Sequence, residues 1–283
     1  MRSRKDLLQF LAVKAVRVIP RARTGRLIGS FAASPASRKI IGQFIKAFGI
    51  DASEAEKEIG HYSTLAEFFT RRLKPGSRPI DEIPGSIVSP VDALLHETGR
   101  PSGHTRIDVK GRTLSFAGLL GENEARIFEK GGYSVHYLSP RDYHRIHSPT
   151  SGSITAWEHI PGDFLPVFPR ALREFGPVFT KNERVNVFMD TRFGKFAVSM
   201  VAAMGVGNIG LSFSELKTNT GLDGTRCELK VHKPVTKGGE IGVFNLGSTV
   251  IVCWENPGIK VVPDLVGTHV RMGKMFASLE KHS

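Results

Sequence analysis

Residues 242–254 have the sequence GVFNLGSTVIVCW, and this stretch decides the fold. Two apolar runs of strand length, Gly242–Leu246 and Thr249–Trp254, meet there at a Gly-Ser bond. Short apolar runs that are rich in β-branched and aromatic residues are typical of strands. Taken alone, Gly247-Ser248 indicates an ordinary turn or the end of a strand. With a histidine that takes its proton, however, a serine hydroxyl beside a glycine carbonyl is sufficient to break a peptide bond from within the chain.

Most of the chain after about residue 84 has this same pattern of short apolar runs separated by Gly, Pro, Asn or Asp. The further strands that it predicts are Ser86–Val91, Tyr133–Leu138, Val185–Phe188 and Phe196–Ala203. The longest uncharged stretch, Phe196–Ser214, contains three glycines and predicts a buried strand, a turn and a second strand. Phe116–Leu120 predicts a short helix.

Longer helices are predicted nearer the N-terminus. Thr64 and Glu67 form a capping box ahead of apolar residues, and Lys74-Pro75-Gly76 ends that helix. The predicted fold class is therefore α+β, a β-rich mixed body with N-terminal amphipathic helices. We place the boundary between basic docking helices in residues 1–60 and a body in residues 61–283.

The positive charge of the chain is concentrated at its N-terminus. Residues 1–50 contain eleven Lys and Arg side chains and a single acid, Asp6, which amounts to +10 of the net charge of +12. The rest of the chain is close to neutral. This distribution indicates a surface-docking element rather than a protein that is basic all over.

The basic segment shows two amphipathic patterns. Apolar residues follow helical spacing within residues 7–19 and again within residues 40–48, beside basic side chains. A break is predicted at Pro20 and Gly25, and Ser34-Pro35 predicts the N-cap and first position of the second helix. Such helices either lie on an anionic membrane surface, which we favour, or pack on the body and leave their charges solvated.

Composition excludes several classes of protein. The chain has 283 residues, of which 40% are apolar and 23% charged, as in globular proteins with a sizeable core. Cys227 and Cys253 form neither a CxxC pair nor a disulfide framework, which suits a reducing compartment. No stretch predicts a membrane span or a signal-peptide cleavage site, so we expect a peripheral protein at the cytoplasmic face of the cell membrane.

Three features carry candidate chemistry: Asp92 after a predicted strand, His144 and His147 three residues apart, and Gly247-Ser248. Each has an ordinary explanation on its own, as a turn residue, as satisfied or exposed histidines, or as a turn. Half of a metal site is a weak alternative for the histidines, because no second paired-ligand motif occurs, and we predict no metal. The absence of a G-x-S-x-G motif argues against an ordinary esterase.

Together these residues resemble the pyruvoyl-dependent phosphatidylserine decarboxylases of the prokaryotic, membrane-associated type. The resemblance covers roughly residues 60–255 and rests on motifs that occur in the expected order, at Phe68–Gly76, Ser89–Asp92, Ser139–His147, Pro161–Val167, Asn182–Arg184 and Leu246–Thr249. Two positions depart from the family pattern: Ala93 stands where the family usually has Gly, and Phe168 where it usually has Asn. Neither departure removes a reacting group.

The resemblance implies a proenzyme that cuts itself between Gly247 and Ser248. Asp92 orients and charges His147, His147 takes the Ser248 proton, and Ser248 attacks the carbonyl of Gly247. The ester that forms then eliminates, and hydrolysis leaves a pyruvoyl group derived from Ser248 at the start of a small chain, 248–283. The large chain, 1–247, and the small chain are expected to stay associated, and a dimer of this two-chain unit is left open.

The resemblance also implies the reaction. The pyruvoyl ketone forms a Schiff base with the amine of phosphatidylserine and takes up the electrons left by carbon dioxide, so that phosphatidylethanolamine results. His144 then donates the proton to the former α-carbon, and both histidines are expected to face one site from a short helical turn. Arg71, Arg72 and Arg78 are weak candidates for holding the phosphate, and equally for solvated side chains.

The implied partners are phosphatidylserine and an anionic membrane surface, against which the basic helices hold the active site. Two other functions stay open at this point. A basic nucleic-acid binder is disfavoured, because the charge is confined to helices with apolar faces and no RNA-binding motif occurs. A self-cleaving protein without later enzymatic activity accounts for Gly247-Ser248 but not for His144.

Overall fold

The computed structural model describes residues 21–101, 106–109, 112–167, 174, 176–203, 208–216, 218, 224–245 and 248–280. The described α-helices are α1 (Arg21–Ala33), α2 (Ile41–Phe48), α3 (Leu65–Phe69), α4 (Phe116–Leu120), α5 (Glu122–Ala125) and α6 (Val178–Lys181). The described strands are β1 (Ser86–Val88), β2 (Ala93–Gly99), β3 (Arg106–Val109), β4 (Arg112–Ser115), β5 (Gly132–Leu138), β6 (Arg145–His147), β7 (Gly152–Ile160), β8 (Arg184–Thr191), β9 (Gly194–Val201), β10 (Ile209–Leu211), β11 (Thr225–Val235), β12 (Glu240–Phe244), β13 (Ser248–Trp254), β14 (Ile259–Val261), β15 (His269–Val270) and β16 (Met275–Leu279).

Strand β13 lies at the centre of the molecule. It is the fifth strand of an eight-stranded antiparallel sheet with the order β11-β7-β8-β9-β13-β5-β2-β15. Its neighbours pair with it along its length, β5 from Ser248 to Trp254 and β9 from Thr249 to Trp254. Its side chains alternate between two cores, Val250 and Val252 in one and Ile251 in the other. Burial on both faces explains why the sequence of this strand is a continuous apolar run.

Two further layers cover the large sheet. The first core lies between this sheet and two three-stranded sheets, β1-β16-β14 and β10-β12-β6. The second core lies under α4, α5 and α6, whose apolar residues Phe116, Leu119 and Phe179 are buried against it. Strands β3 and β4 form a separate two-stranded sheet. The α+β class and the β-rich body predicted from the sequence are confirmed.

The short helix predicted at Phe116–Leu120 is confirmed at those bounds, and the Ser115 hydroxyl caps it by accepting from the Gly118 N–H at 3.2 Å. The helix after Thr64 begins as predicted, because the Thr64 hydroxyl accepts from the Glu67 N–H at 3.1 Å. It does not continue to Lys74, however. Helix α3 ends at Phe69, since the following residues pair with residues 54–56 instead, for example through a 2.9 Å bond from the Glu56 N–H to the Arg72 carbonyl.

One prediction for the N-terminal segment is wrong. Helix α1 continues through Gly25, because a single glycine costs a helix only about 1 kcal/mol relative to alanine. Ser34 and Pro35 do stand at the N-cap and at the start of a helical segment, a 3₁₀ helix at Pro35–Ile40 that leads directly into α2, although the Ser34 hydroxyl donates to the Phe31 carbonyl and makes no capping bond. The amphipathic pattern of residues 7–19 lies outside the described residues.

The stretch Phe196–Ser214 does contain two strands, as predicted, although they do not form one hairpin. Strand β9 lies in the large sheet and β10 in the covering sheet, so the chain crosses from one layer to the other between them. Residues 204–207, which connect the two strands, fall outside the described residues.

The N-terminal helices pack on the body with one face only. Ala32 of α1 and Ile41 of α2 are buried in a small core with Tyr62, Leu65 and Phe68. The other face is exposed and carries large apolar side chains, namely Leu27, Ile28, Phe31 and Phe48, which are 43–71% exposed. In the part of the chain that the structure describes, no helix combines the length and the apolar character that a bilayer span requires.

Candidate active site

The backbone places the histidine segment, residues 139–147, beside the chain on both sides of the Gly-Ser junction. Ser248, the first residue of β13, pairs with Leu138, the last residue of β5, from which the histidine segment continues. At its other end, the carbonyl of His144 accepts from the N–H of Phe244, the last residue of β12, at 2.9 Å. Phe244 and Ser248 are four residues apart, so at most about 14 Å of extended chain separates them. Gly247 lies outside the described residues.

The covering sheet lies over the face of β13 that carries Val250 and Val252, whose side chains lie in the first core. Ile146 of β6 and Phe244 of β12 lie in that core as well. The strand that ends at His147 therefore packs over the same face of the central strand as these two valines.

His144 is a fully buried imidazole with one free nitrogen. Its Nδ1–H donates to the carbonyl of Asp142 at 2.8 Å, whereas Nε2 has no hydrogen-bond partner among the described residues. The ring of Phe69 packs against it with a centroid distance of 4.0 Å. Burial lowers the pKa of His144 to about 3, and the charge of Arg71 contributes in the same direction. The ring is therefore neutral, and its Nε2 lone pair is the available base.

His147 is also neutral and presents the same nitrogen. Its Nδ1–H donates to the carbonyl of Gly238 at 2.8 Å, which leaves Nε2 to accept weakly from the Tyr143 hydroxyl at 3.3 Å. The Tyr143 ring stacks on it at 5.6 Å between centroids. Burial lowers the pKa of His147, only partly opposed by the bond to Gly238. A base at Nε2, held by a hydrogen bond at Nδ1, is the arrangement that deprotonation of a serine requires.

Asp92 lies next to His147 without a hydrogen bond to it. The His147 N–H donates to the carbonyl of Pro90 at 2.9 Å, so the segment that leads to Asp92 runs alongside β6. The Asp92 carboxylate instead accepts from Arg78 Nε at 2.8 Å and from the Met272 N–H at 2.8 Å. Its charge still raises the pKa of His147 to a small extent. Among the described residues, the Gly238 carbonyl holds His147 in the way that Asp92 was expected to.

The expectation that both histidines project from a helical turn is wrong. His147 ends strand β6, which pairs with β12 so that His147 lies opposite Glu240. His144 precedes this strand. The two rings contact different groups, Phe69 and the Asp142 carbonyl for His144, and Tyr143 and the Gly238 carbonyl for His147.

Several residues of the site were not identified from the sequence. Phe69 and Tyr143 are within the family-like motifs, so the signal was present, but their contacts to the histidines are not apparent from spacing. Gly238 has a φ of 78°, which favours glycine, and it turns its carbonyl to a residue 91 positions away. The three arginines that were weak candidates for holding the substrate phosphate differ in their surroundings. Arg72 is more than half exposed, Arg78 is paired with carboxylates, and Arg71 is buried.

Comparison with known proteins identifies a family for this chain. The sequence profile of the family described as phosphatidylserine decarboxylase matches residues 65–278. The phosphatidylserine decarboxylase proenzyme of Myxococcus xanthus is 40% identical over 253 residues, 86% of this chain and 89% of the relative. The proenzyme of the same name from Anaeromyxobacter sp. is 36% identical over 93% of this chain and 96% of the relative, and that from Brevibacillus brevis is 38% identical over 92% and 95%.

These relatives are all named as proenzymes, so the fold, the site and the comparisons together define a class of enzyme that is made in an unprocessed form. The match extends over most of the chain and includes the segments of Asp92, His144, His147 and Ser248. The chain belongs to the phosphatidylserine decarboxylase family. It is an enzyme, and neither the nucleic-acid binder nor the inactive self-cleaving protein is retained.

Proposed function

We propose that this chain cuts itself between Gly247 and Ser248, carries a pyruvoyl group at position 248, and converts phosphatidylserine to phosphatidylethanolamine and carbon dioxide. The observation that carries the proposal is the position of Ser248. It begins the central strand, and the two neighbouring histidines each present an Nε2 lone pair from the segment that adjoins this strand. The family match of residues 65–278 supports the same reaction.

In the proposed cut, His147 Nε2 takes the proton from the Ser248 hydroxyl, whose oxygen attacks the carbonyl carbon of Gly247. The C–N bond to Ser248 breaks and an ester to its oxygen replaces it, while the amine gains the proton. Loss of the Ser248 α-proton expels the Gly247 carboxylate, and water then replaces the nitrogen, which leaves as ammonia. Asp92 favours proton uptake by His147 through its nearby negative charge.

The residues around position 248 fit a pyruvoyl group there. After a cut, β13 stays paired on both sides, with β5 and β9 of the large chain. The rest of the small chain is held too, because β15 pairs with β2 and β16 with β1. The new N-terminus is therefore fixed in the middle of the sheet, and the two chains stay associated. The free Nε2 of His144 supplies a proton acceptor in the adjoining segment.

In turnover, the pyruvoyl carbonyl supplies the electrophile that binds the substrate amine and the acceptor for the electron pair left by carbon dioxide. The substrate arrives as an ammonium ion and must lose a proton before its nitrogen reacts. His144 Nε2 takes this proton and returns it to the former α-carbon after carbon dioxide has left. The Asp142 carbonyl keeps the ring in the required tautomer by holding Nδ1–H.

Self-cleavage is expected to depend on His147. The change His147→Ala removes the base, and removal of general-base catalysis slows a step by roughly 10²–10⁴-fold. The purified variant should therefore be mostly uncut on a denaturing gel. In the parent, the rate of cleavage should fall on the acid side at a pH below the ordinary histidine pKa, because burial lowers the pKa of His147. Full cleavage of His147→Ala would remove His147 from the proposed cut.

The charge of Asp92 is expected to matter as well, and Glu54 offers a matched control. Both carboxylates accept from Arg78, at 2.8 Å for Asp92 and 2.8 Å for Glu54, but Asp92 alone influences the pKa of His147. We expect Asp92→Asn to slow cleavage at least about tenfold, the rate cost of about 1.4 kcal/mol. Glu54→Gln should cut at the parent rate. Equal slowing in both variants would mean that Asp92 acts only by pairing with Arg78.

We also propose that the exposed face of α1 and α2 docks on an anionic membrane. Leu27, Ile28 and Phe31 follow helical i, i+1, i+4 spacing and are 45–71% exposed, and Lys46 is exposed on α2 nearby in sequence to Phe48. Apolar side chains beside basic ones favour a surface of anionic phospholipids. This docking places the active site near a substrate that is itself an anionic membrane lipid.

Vesicle flotation tests this docking. Each of the three apolar side chains contributes about 1.5–3 kcal/mol when buried, so the combined change of Leu27, Ile28 and Phe31 to Ser should lower the vesicle-bound fraction more than about tenfold. Cleavage should stay normal, because the buried contacts of Ala32 and Ile41 are kept. Changing Ile59, Ile83 and Val231 to Ser, three apolar residues exposed elsewhere, is the control. Equal flotation of both variants would contradict docking through this face.

A further inference from the structure

Arg71 is a buried cation that the described part of the chain does not neutralise. It is only 5% exposed, and its Nε and Nη1 have no hydrogen-bond partner among the described residues. Its Nη2 makes one long bond, 3.3 Å, to the carbonyl of Arg141, and its guanidinium lies over the ring of Phe68 at 5.0 Å. Four of the five N–H groups of this buried, permanently charged side chain are thus left without an acceptor among the described residues.

Two other arginines nearby are neutralised by carboxylates. Arg78 binds the carboxylates of Asp92 and Glu54, and Arg145 binds Glu240 at 2.7 Å. An unpaired buried charge is costly, and natural structures keep one where a ligand of opposite charge completes it. The burial of Arg71 is accordingly reflected in a lowered pKa of its guanidinium.

The place of Arg71 connects it with the active site. It lines a cleft of about 280 Å³, together with Asp92, Tyr143, Arg141 and His269. The segment that follows α3 carries it only two residues after Phe69, the side chain that packs on His144. The charge of Arg71 is also close enough to lower the pKa of His144. An anion bound by Arg71 therefore lies in a cleft beside the proposed proton donor.

We propose that Arg71 binds the phosphodiester of the substrate headgroup and so positions the serine moiety for reaction; this inference rests on the proposed function. The phosphodiester is a monoanion whose two free oxygens accept hydrogen bonds, as a guanidinium requires. In phosphatidylserine only three bonds separate its phosphorus from the carbon that loses carbon dioxide. A fixed phosphate thus fixes the reacting carbon closely.

The substrate carboxylate is the other anion to consider, and the chemistry disfavours it. Decarboxylation disperses the carboxylate charge, so an ion pair with arginine would stabilise the starting state more than the transition state and slow the reaction. The phosphodiester keeps its charge from substrate to product. An arginine that binds the phosphodiester therefore stabilises the bound substrate and the transition state equally. Loss of this arginine raises KM and leaves kcat nearly unchanged.

Kinetics of Arg71→Met test the proposal, with dihexanoyl phosphatidylserine as a short-chain substrate that does not depend on membrane docking. Self-cleavage on a gel first shows that the variant has folded. We then expect KM to rise roughly ten- to hundredfold, as for loss of hydrogen bonds to a charged group, and kcat to change less than about threefold. Arg192→Met, which removes an exposed arginine that also lies over a phenylalanine ring but outside this cleft, should change KM less than about threefold.

Two inhibitors distinguish whether Arg71 binds the phosphodiester or the carboxylate of the substrate. Glycerophosphoethanolamine, which has the phosphodiester and no carboxylate, should inhibit the parent competitively and lose its effect in Arg71→Met. Serine, which has the carboxylate but no phosphodiester, should inhibit both the parent and Arg71→Met only weakly. A fall in kcat at unchanged KM, or unchanged kinetics, would overturn the proposal. Inhibition by inorganic phosphate that does not compete with substrate would also overturn it, since it would reveal a separate anion site.

Two safeguards keep the result interpretable. If Arg71→Met does not cut itself, Arg71→Gln, which keeps an amide donor for the Arg141 carbonyl, undergoes the same measurements with the same expected rise in KM. Failure of the proposed function would give a different result, because the parent protein would then form no phosphatidylethanolamine. An active parent with an unaffected Arg71 variant contradicts only the role of Arg71.

Discussion

Ser248→Ala is expected to abolish maturation, so that the purified protein is a single uncut chain of 31.0 kDa. The change removes the only oxygen that the proposed cut uses as nucleophile, and water at the Gly247 carbonyl does not replace a positioned hydroxyl. It also removes the β-oxygen whose departure from Ser248 allows a ketone to form at the α-carbon. Decarboxylation should therefore be undetectable, a larger effect than that of any other single change considered above.

Ser278→Ala is the matched control for this change. Ser278 also lies on a strand of the C-terminal 36 residues, in β16, but in a sheet at the edge of the first core. This variant should cut itself and turn over at the parent rate. Two chains from Ser248→Ala would show that another group attacks, and Thr249, buried next to it on β13, would then have to be tested.

His144→Ala is expected to impair turnover and not maturation. Cleavage should be normal, and little phosphatidylethanolamine should form. The cut uses His147, whereas His144 Nε2 moves the proton between the substrate amine and the α-carbon. Loss of general acid–base catalysis should lower kcat roughly 10²–10⁴-fold. The measurements are a gel for the two chains, a carbonyl-specific probe for the group at position 248, and phosphatidylethanolamine formation over time.

His159→Gln controls for the removal of a buried histidine. His159 is as deeply buried as His144, but it bonds to Glu183 at 3.1 Å and lies on β7, three strands from β13. Its loss should lower thermal stability and leave both cleavage and kcat close to the parent values. If His144→Ala turns over at the parent rate, proton delivery belongs to another group. If it fails to cut, His144 takes part in maturation as well.

Local sequence signals predicted part of the fold correctly. The helix at Phe116–Leu120 follows from a capping serine, and the central strand follows from an apolar run too short for a buried helix. Errors arose where distant chain segments supply the backbone hydrogen bonds. Helix α3 is short because residues 54–56 pair with the residues after it, and no pattern within residues 64–76 indicates this.

The candidate site shows the same division. The family-like motifs identified His144, His147, Asp92 and Ser248, and the structure brings their segments to one end of the central strand. The contacts that orient these side chains were not predictable. The Gly238 carbonyl that holds His147 is 91 positions away in the chain, and Arg78, which binds Asp92, is 14 positions away. Side-chain partners at such distances depend on the sheet order, which spacing does not encode.

The mass of the C-terminal chain is the most direct test of the claim that position 248 becomes a pyruvoyl group. Intact mass spectrometry of the purified protein should give a large chain that ends at Gly247 and a small chain of the 36 residues from Ser248 to Ser283. The small chain should be lighter than its encoded sequence by one molecule of ammonia, and it should react with a hydrazide. A single uncut mass, or a small chain of full encoded mass with an N-terminal serine, would contradict the account.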